Sequence, residues 1–193
     1  MPRAKSSNAK KSRNHLEPQE VRLLLEAAKL YGRHAHRNFT LILLGYRHGL
    51  KLGELNGLRW RDVDLSKKTL RIARRRRKTA SIHPLRKDEA AALRQLKRNY
   101  PNSSYLFVND RGSQLTERSV NRIVTEAGEA AGLKIPVAPR TLRRSCVRNL
   151  ALAGNNLLAV QHFLGYDNVG RVLRYLELPK QPFKDFWKSE PEL

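Results

Sequence analysis

Two guanidiniums and two phenols near the end of the chain have types and spacing that suit phosphate chemistry: Arg143, Tyr166, Arg174 and Tyr175. They stand in the segments PRTLRRSCV (139–147), FLGYDN (163–168) and VLRYLEL (172–178). A phenol oxygen is a nucleophile. Planar guanidiniums pair with the non-bridging oxygens on which charge gathers when phosphorus is attacked. An oxygen leaving group also needs a proton donor. Arg143 opens a helix, a Leu-Gly turn follows, and Tyr175 comes nine residues after Tyr166.

The composition names a partner for such chemistry. The 193 residues carry 39 Lys and Arg against 17 Asp and Glu, a formal charge of +22. A cationic excess of that size points to a polyanion, with nucleic acid first and a membrane surface well behind it. The charge is clustered. Residues 1–14 hold Arg3, Lys5, Lys10, Lys11 and Arg13 with no acid, and residues 66–87 hold ten cations with no acid. No apolar run approaches the length of a membrane span, and the opening MPRAKSSNAKKSR has no apolar signal core, so a cytoplasmic, nucleoid-associated protein is expected. The single cysteine, Cys146, excludes an internal disulfide and a thiolate zinc site. Six scattered histidines without a carboxylate constellation argue against a metal nuclease. An RNA-binding protein would need an aromatic stacking motif, and none is recognisable.

The elements that must position these residues are mostly helical. Pro18 suits a first helical turn, and Val21, Leu24, Leu25 and Ala28 form one apolar face. A buried helix is expected over about 36–48 and a short one over 52–58, followed by the segment 60–65. Strands at 69–73 and 80–85 form a hairpin whose tip is the basic stretch Arg74–Thr79. Further helices are expected over about 88–100, 116–131, 141–153, 156–164 and 171–176, with a last one at Pro182–Lys188. The fold class is mainly α with a small antiparallel β-sheet. Residues 1–15 form a basic flexible arm, 16–178 the catalytic domain, and 179–193 a C-terminal tail or helix.

The segment YRHGLKLGELNGLRWRDVDL (46–65) resembles the first signature of the tyrosine recombinase, or phage integrase, family. Gly49, Leu50, Glu54, Leu55, Leu58, Trp60, Asp62 and Asp64 carry the likeness, and APRTLRRSC, FLGYDN and VLRYLE resemble the second signature. The layout is similar to the short fimbrial phase-variation invertases. The resemblance implies the tyrosine recombinase catalytic-domain fold and a DNA strand exchange through a 3′-phosphotyrosine. It implies no cofactor and no metal, because the covalent link keeps the bond energy for rejoining. Double-stranded DNA is the implied partner, with homo-oligomers up to a tetramer on DNA and no membrane.

Carried over residue by residue, Tyr175 falls on the nucleophile and Arg143 on the second arginine. Lys51 falls on the first arginine, keeping the charge and losing the fork. Arg140 takes the usual His or Lys position, and Tyr166 the His or Trp position, where a hydrogen-bond donor and a packing aromatic are both consistent readings. The hairpin lysine stays open between Arg76, Arg77 and Lys78. Arg74, Arg75, Arg77, Arg144, Lys10, Lys11 and Arg13 are the candidate DNA-contacting cations. Arg47 is either a pocket cation or a surface one, Glu54 pairs with a nearby cation, and His48 is structural. Two function classes follow: a recombinase acting through Tyr175, or a regulatory or architectural DNA-binding protein with degraded chemistry on the same fold.

Binding to duplex DNA is expected to weaken steeply with salt, by about −0.9 in log K per log unit of salt for each phosphate neutralised. Titrations over a salt series measure it, and a slope worth only one or two phosphates contradicts a clamp around the duplex.

Overall fold

The computed structural model describes residues 13–30, 32–74 and 80–176. The candidate residues Lys10, Lys11, Arg75, Arg76, Arg77 and Lys78, and the expected helix at Pro182–Lys188, lie outside the described residues. Among the described residues the elements run α1 Pro18–Leu30, α2 Ala35–Arg47, α3 Leu52–Asn56, a 3-10 turn Trp60–Asp62, β1 Val63–Asp64, β2 Thr69–Ile72 and β3 Ser81–Pro84. Then come α4 Lys87–Asn99, α5 Glu117–Ala130, α6 Pro139–Leu152, α7 Leu157–Leu164 and α8 Gly170–Leu173. None of these helices is long and apolar enough to cross a membrane.

The sheet has the order β1-β2-β3, antiparallel throughout. Its third strand adds to the expected hairpin: β1 comes from the segment 60–65, for which the sequence pattern names no element. Val63 pairs with Leu70 and Asp64 with Thr69. The Asp64 carboxylate accepts from Ser66 N at 3.0 Å and Lys67 N at 2.8 Å, and Lys68 takes φ 52°. A side chain that mimics a backbone turn folds the chain straight back onto β1.

Helix boundaries follow local chemistry. Thr116 caps α5 by accepting from Ser119 N at 3.1 Å, and Asn156 caps α7 by accepting from Leu158 N and Ala159 N. α7 stops at Gly165, in the left-handed region at φ 65°.

Burial divides into two clusters. The larger joins α1, α2, α4 and α5 with the sheet and the extended piece at Leu106 and Phe107. The smaller holds Cys146, Val147, Ala151, Val160, Leu164, Tyr166 and Val172, with Phe163 and Tyr175 packed against it. Leu16 is fully buried, and its N–H donates to Ser145 Oγ at 2.7 Å, so the segment before α1 is fastened to α6.

Gly49 sits where the two clusters meet. It takes φ 55°, and a Cβ there would overlap the Leu164 side chain and press on Cys146 Sγ at 3.2 Å. Gly49→Ala is expected to cost about 1–3 kcal/mol through strain and overpacking. Urea unfolding midpoints test this, and an unchanged midpoint contradicts the tight junction.

Candidate active site

Arg143 lies on the inward face of α6, 8% exposed. Its guanidinium donates through Nη1 to the Gly49 carbonyl and through Nη2 to the Leu164 carbonyl, the latter at 2.9 Å. Leu164 is the last residue of α7, whose carbonyl has no intrahelical partner, and Gly49 follows the C-cap of α2 in the turn that leads to α3. One side chain thus ties the α2–α3 junction to the end of α7. Its Cζ stands 4.6 Å from the centre of the Tyr166 ring, a cation–π contact.

Tyr166 is also 8% exposed, and its hydroxyl is hydrogen-bonded to Arg143 and to Tyr175. Burial is the main cause that holds its phenol in the protonated form; Arg143 opposes this and the Tyr175 neighbour adds to it. Tyr175 is half-buried in the same cluster. Its backbone N–H donates to Val172 O at 3.0 Å, and its carbonyl accepts from Arg148 Nη1 at 3.1 Å. Positions 143, 166 and 175, far apart in sequence, therefore meet around one hydroxyl.

Lys51 is the N-cap residue of α3, two residues beyond the Gly49 carbonyl. Its side chain is 51% exposed, with Nζ 3.9 Å from Glu54 Oε1, and its N–H donates to Glu54 Oε2 at 2.9 Å. It lines an open cleft of about 710 Å³ with Glu54, Asp62, Arg71, Glu117 and Arg171. Arg140 is exposed on the first turn of α6, and Arg144, next to Arg143, is half-buried.

Arg74 requires a correction. Counted among the DNA-contacting cations of the hairpin tip, it is 6% exposed instead. Nη1 donates to Glu54 Oε2 at 2.6 Å, Nη2 to Phe163 O at 2.8 Å, and Nε to Ser81 Oγ at 3.4 Å. The reason is strand period: Leu70 and Ile72 face the core, and Arg74 continues that alternation inward. Glu54 finds its expected cation here. Arg13, also counted as a DNA contact, pairs within the chain with Glu20 and Glu17. Arg47 resolves to the surface reading, forking Asp88 with two bonds of 2.6 Å.

Three polar residues beside the site carried no functional expectation. His48, His83 and Glu89 are 2%, 1% and 1% exposed. His48 Nδ1 lies 3.1 Å from His83 Nδ1, and His83 Nε2 lies 3.1 Å from Ser81 Oγ. His48 Nε2 stands 3.1 Å from Glu89 Oε1, off the line of a hydrogen bond. The His83 ring stacks on Phe163 at 3.8 Å between centres. A period-2 reading of β3 finds His83; nothing local marks His48 or Glu89.

The comparisons with known proteins fit this geometry. The profile of the phage integrase family matches residues 14–181. The chain is 32% identical over 182 residues to the type 1 fimbriae regulatory protein FimE of Escherichia coli K12, covering 91% of each. It is 30% identical to the tyrosine recombinase XerC of Halalkalibacterium halodurans, over 93% of this chain and 63% of that one. The fold is similar to the crystal structure of the XerH site-specific recombinase bound to difH substrate in a pre-cleavage complex. That likeness has a TM-score of 0.77 at 24% identity, over 92% of this chain and 54% of XerH.

Burial, then the neighbouring His48 and Arg74, push the His83 imidazole down to about 3 from the ordinary 6.5. Folded His83 stays neutral while the unfolded chain binds a proton below about 6.5. Its contribution is complete above that pH and is lost as pH falls toward 3. Below about pH 6, His83→Gln is expected to flatten the pH dependence of unfolding free energy by up to about 1.4 kcal/mol per pH unit. Denaturant titrations between pH 6.5 and 4.5 compare the two slopes, and equal slopes contradict the buried neutral ring.

Proposed function

The chain belongs to the phage integrase family, and from that premise we propose that it is a site-specific recombinase that cuts and rejoins double-stranded DNA through Tyr175. The observation that carries this is the meeting of Arg143, Tyr166 and Tyr175: the Arg143 guanidinium stands 4.6 Å from the Tyr166 ring centre, and Tyr175 packs against the buried cluster that holds Tyr166. Tyr175 Oη attacks the scissile phosphorus and gives up its proton. The P–O5′ bond breaks, leaving a 3′-phosphotyrosyl link and a 5′-hydroxyl. Attack by a 5′-hydroxyl reverses the step and reseals the strand, with no external energy source.

Arg143 offers more N–H donors than two carbonyls and one hydroxyl consume, so it can hold its scaffold and still bind a non-bridging oxygen. Lys51 supplies a point charge to another oxygen from the cleft side, and Tyr166 donates one hydrogen bond. Arg140 adds positive charge and no proton shuttle, because a guanidinium does not deprotonate. Lys78 is the proposed donor to the 5′-oxygen, with Arg76 as a phosphate contact in the same stretch. Arg75, Arg77 and Arg144, with Lys10 and Lys11 of the arm, grip the DNA backbone away from the reacting phosphate. Residues 16–178 form the catalytic domain between the 1–15 arm and the 179–193 tail. The enzyme works in the nucleoid as oligomers up to a tetramer on paired sites.

A suicide substrate carrying a nicked native site is expected to trap a covalent protein–DNA adduct, seen as a shifted band on a denaturing gel, and Tyr175→Phe is expected to abolish it. Tight, salt-sensitive binding without an adduct overturns the proposal.

A further inference from the structure

Among the described residues the cation closest to Glu54 is Arg74, at 2.6 Å, while Lys51 Nζ stands 3.9 Å from the same carboxylate. The Glu54 side chain is 9% exposed and that of Arg74 only 3%. Lys51 is half exposed at the cleft and adjoins the Gly49–Arg143 bond. We infer that Arg74 is a positioning residue for Lys51: by neutralising Glu54 from beneath, it keeps that carboxylate from drawing the lysine ammonium out of the phosphate cleft. This deepens, and rests on, the recombinase reading above.

The physical reason is a competition for one buried carboxylate. A buried charge left without its partner is strongly unfavourable, so Glu54 takes whatever cation it can reach. With Arg74 in place, Glu54 accepts a bond from a guanidinium on one side and the Lys51 N–H on the other. Remove Arg74, and among the described residues Lys51 is the nearest remaining cation to Glu54; its Nζ already stands at ion-pair distance, so drawing closer needs only a small shift of its flexible stem. The ammonium would then neutralise Glu54 in place of a phosphate oxygen. Arg74 is well suited to the task because its fork is held from two further directions, by Phe163 O at 2.8 Å and Ser81 Oγ at 3.4 Å. Gly165 leaves room for it: a Cβ there would lie 2.9 Å from Arg74 Nε. The same contacts set Arg74 against the turn that carries Tyr166, so it spans the Lys51 and Tyr166 sides of the site.

The test is a set of single-turnover cleavage rates on the suicide substrate, with DNA affinity and unfolding midpoint measured beside each. In the otherwise unaltered protein, Lys51→Ala is expected to slow adduct formation by about 100-fold. In the Arg74→Met background, where Lys51 is already diverted, the same Lys51→Ala change is expected to cost less than about threefold. Adding Glu54→Gln to Arg74→Met removes the competing charge and is expected to restore most of the rate and the full Lys51→Ala penalty. A merely structural Arg74 moves the unfolding midpoint and leaves the Lys51→Ala penalty the same in every background. That equality overturns the inference. Arg74→Lys, which keeps a cation beneath Glu54, is expected to retain the Lys51→Ala penalty and serves if Arg74→Met does not fold; loss of the penalty there also overturns it. No adduct from the unaltered protein overturns the recombinase reading and this inference together, whereas an adduct with equal penalties overturns this inference alone.

Discussion

The site depends on one buried guanidinium. Arg143 joins carbonyls at the ends of two helices, α2 and α7, that approach each other only in the folded chain. The Leu164 carbonyl ends its helix and the Gly49 carbonyl lies in the turn after α2, and burial would make each costly without a donor. A charge-assisted donor meets that need better than water or a neutral side chain. The same contact draws Gly49, and with it Lys51, toward the Tyr166 turn. The group that would stabilise a phosphate is therefore also the group that assembles its surroundings. Such a residue is hard to replace, because its loss removes a charge and opens the junction at once.

A second guanidinium repeats the arrangement one layer below. Arg74 ties Glu54 of α3 to the Phe163 carbonyl near the end of α7, and so joins the same two regions from the sheet side. The two arginines stand on either side of the Leu164–Gly165 turn. Glycine matters there for two reasons: the left-handed backbone ends α7, and the absent Cβ admits the Arg74 side chain. The turn thus takes its shape from a backbone need and a packing need together. Tyr166, immediately after it, has little freedom left.

Much of this was legible in the sequence where local chemistry decides. Helix starts followed Pro18, Thr116 and Asn156, and α7 ended at Gly165, because caps and left-handed residues act over a few positions. The convergence of Arg143, Tyr166 and Tyr175 was expected from the family resemblance and from spacing. Burial and pairing were harder. Arg74 was grouped with its basic neighbours by charge, although the alternation Leu70, Ile72, Arg74 turns it inward. β1 is two residues long and depends on the Asp64 turn, too short for any period to show. His48 and Glu89 come together from α2 and α4, a contact made by tertiary packing alone.

The buried polar groups beneath the site form one connected line. It runs from Glu89 to His48 and His83, on to Ser81 and Arg74, and ends at Glu54 under the Lys51 helix. His83 must be neutral in that line, since burial and two cationic or ionisable neighbours oppose its charge. A neutral ring donates from one nitrogen and accepts at the other. If His83 donates to Ser81 through Nε2, its Nδ1 accepts from His48 Nδ1. Glu89 and Glu54 stand at the two ends of that line, so the framework under a strongly cationic surface carries one carboxylate at each end.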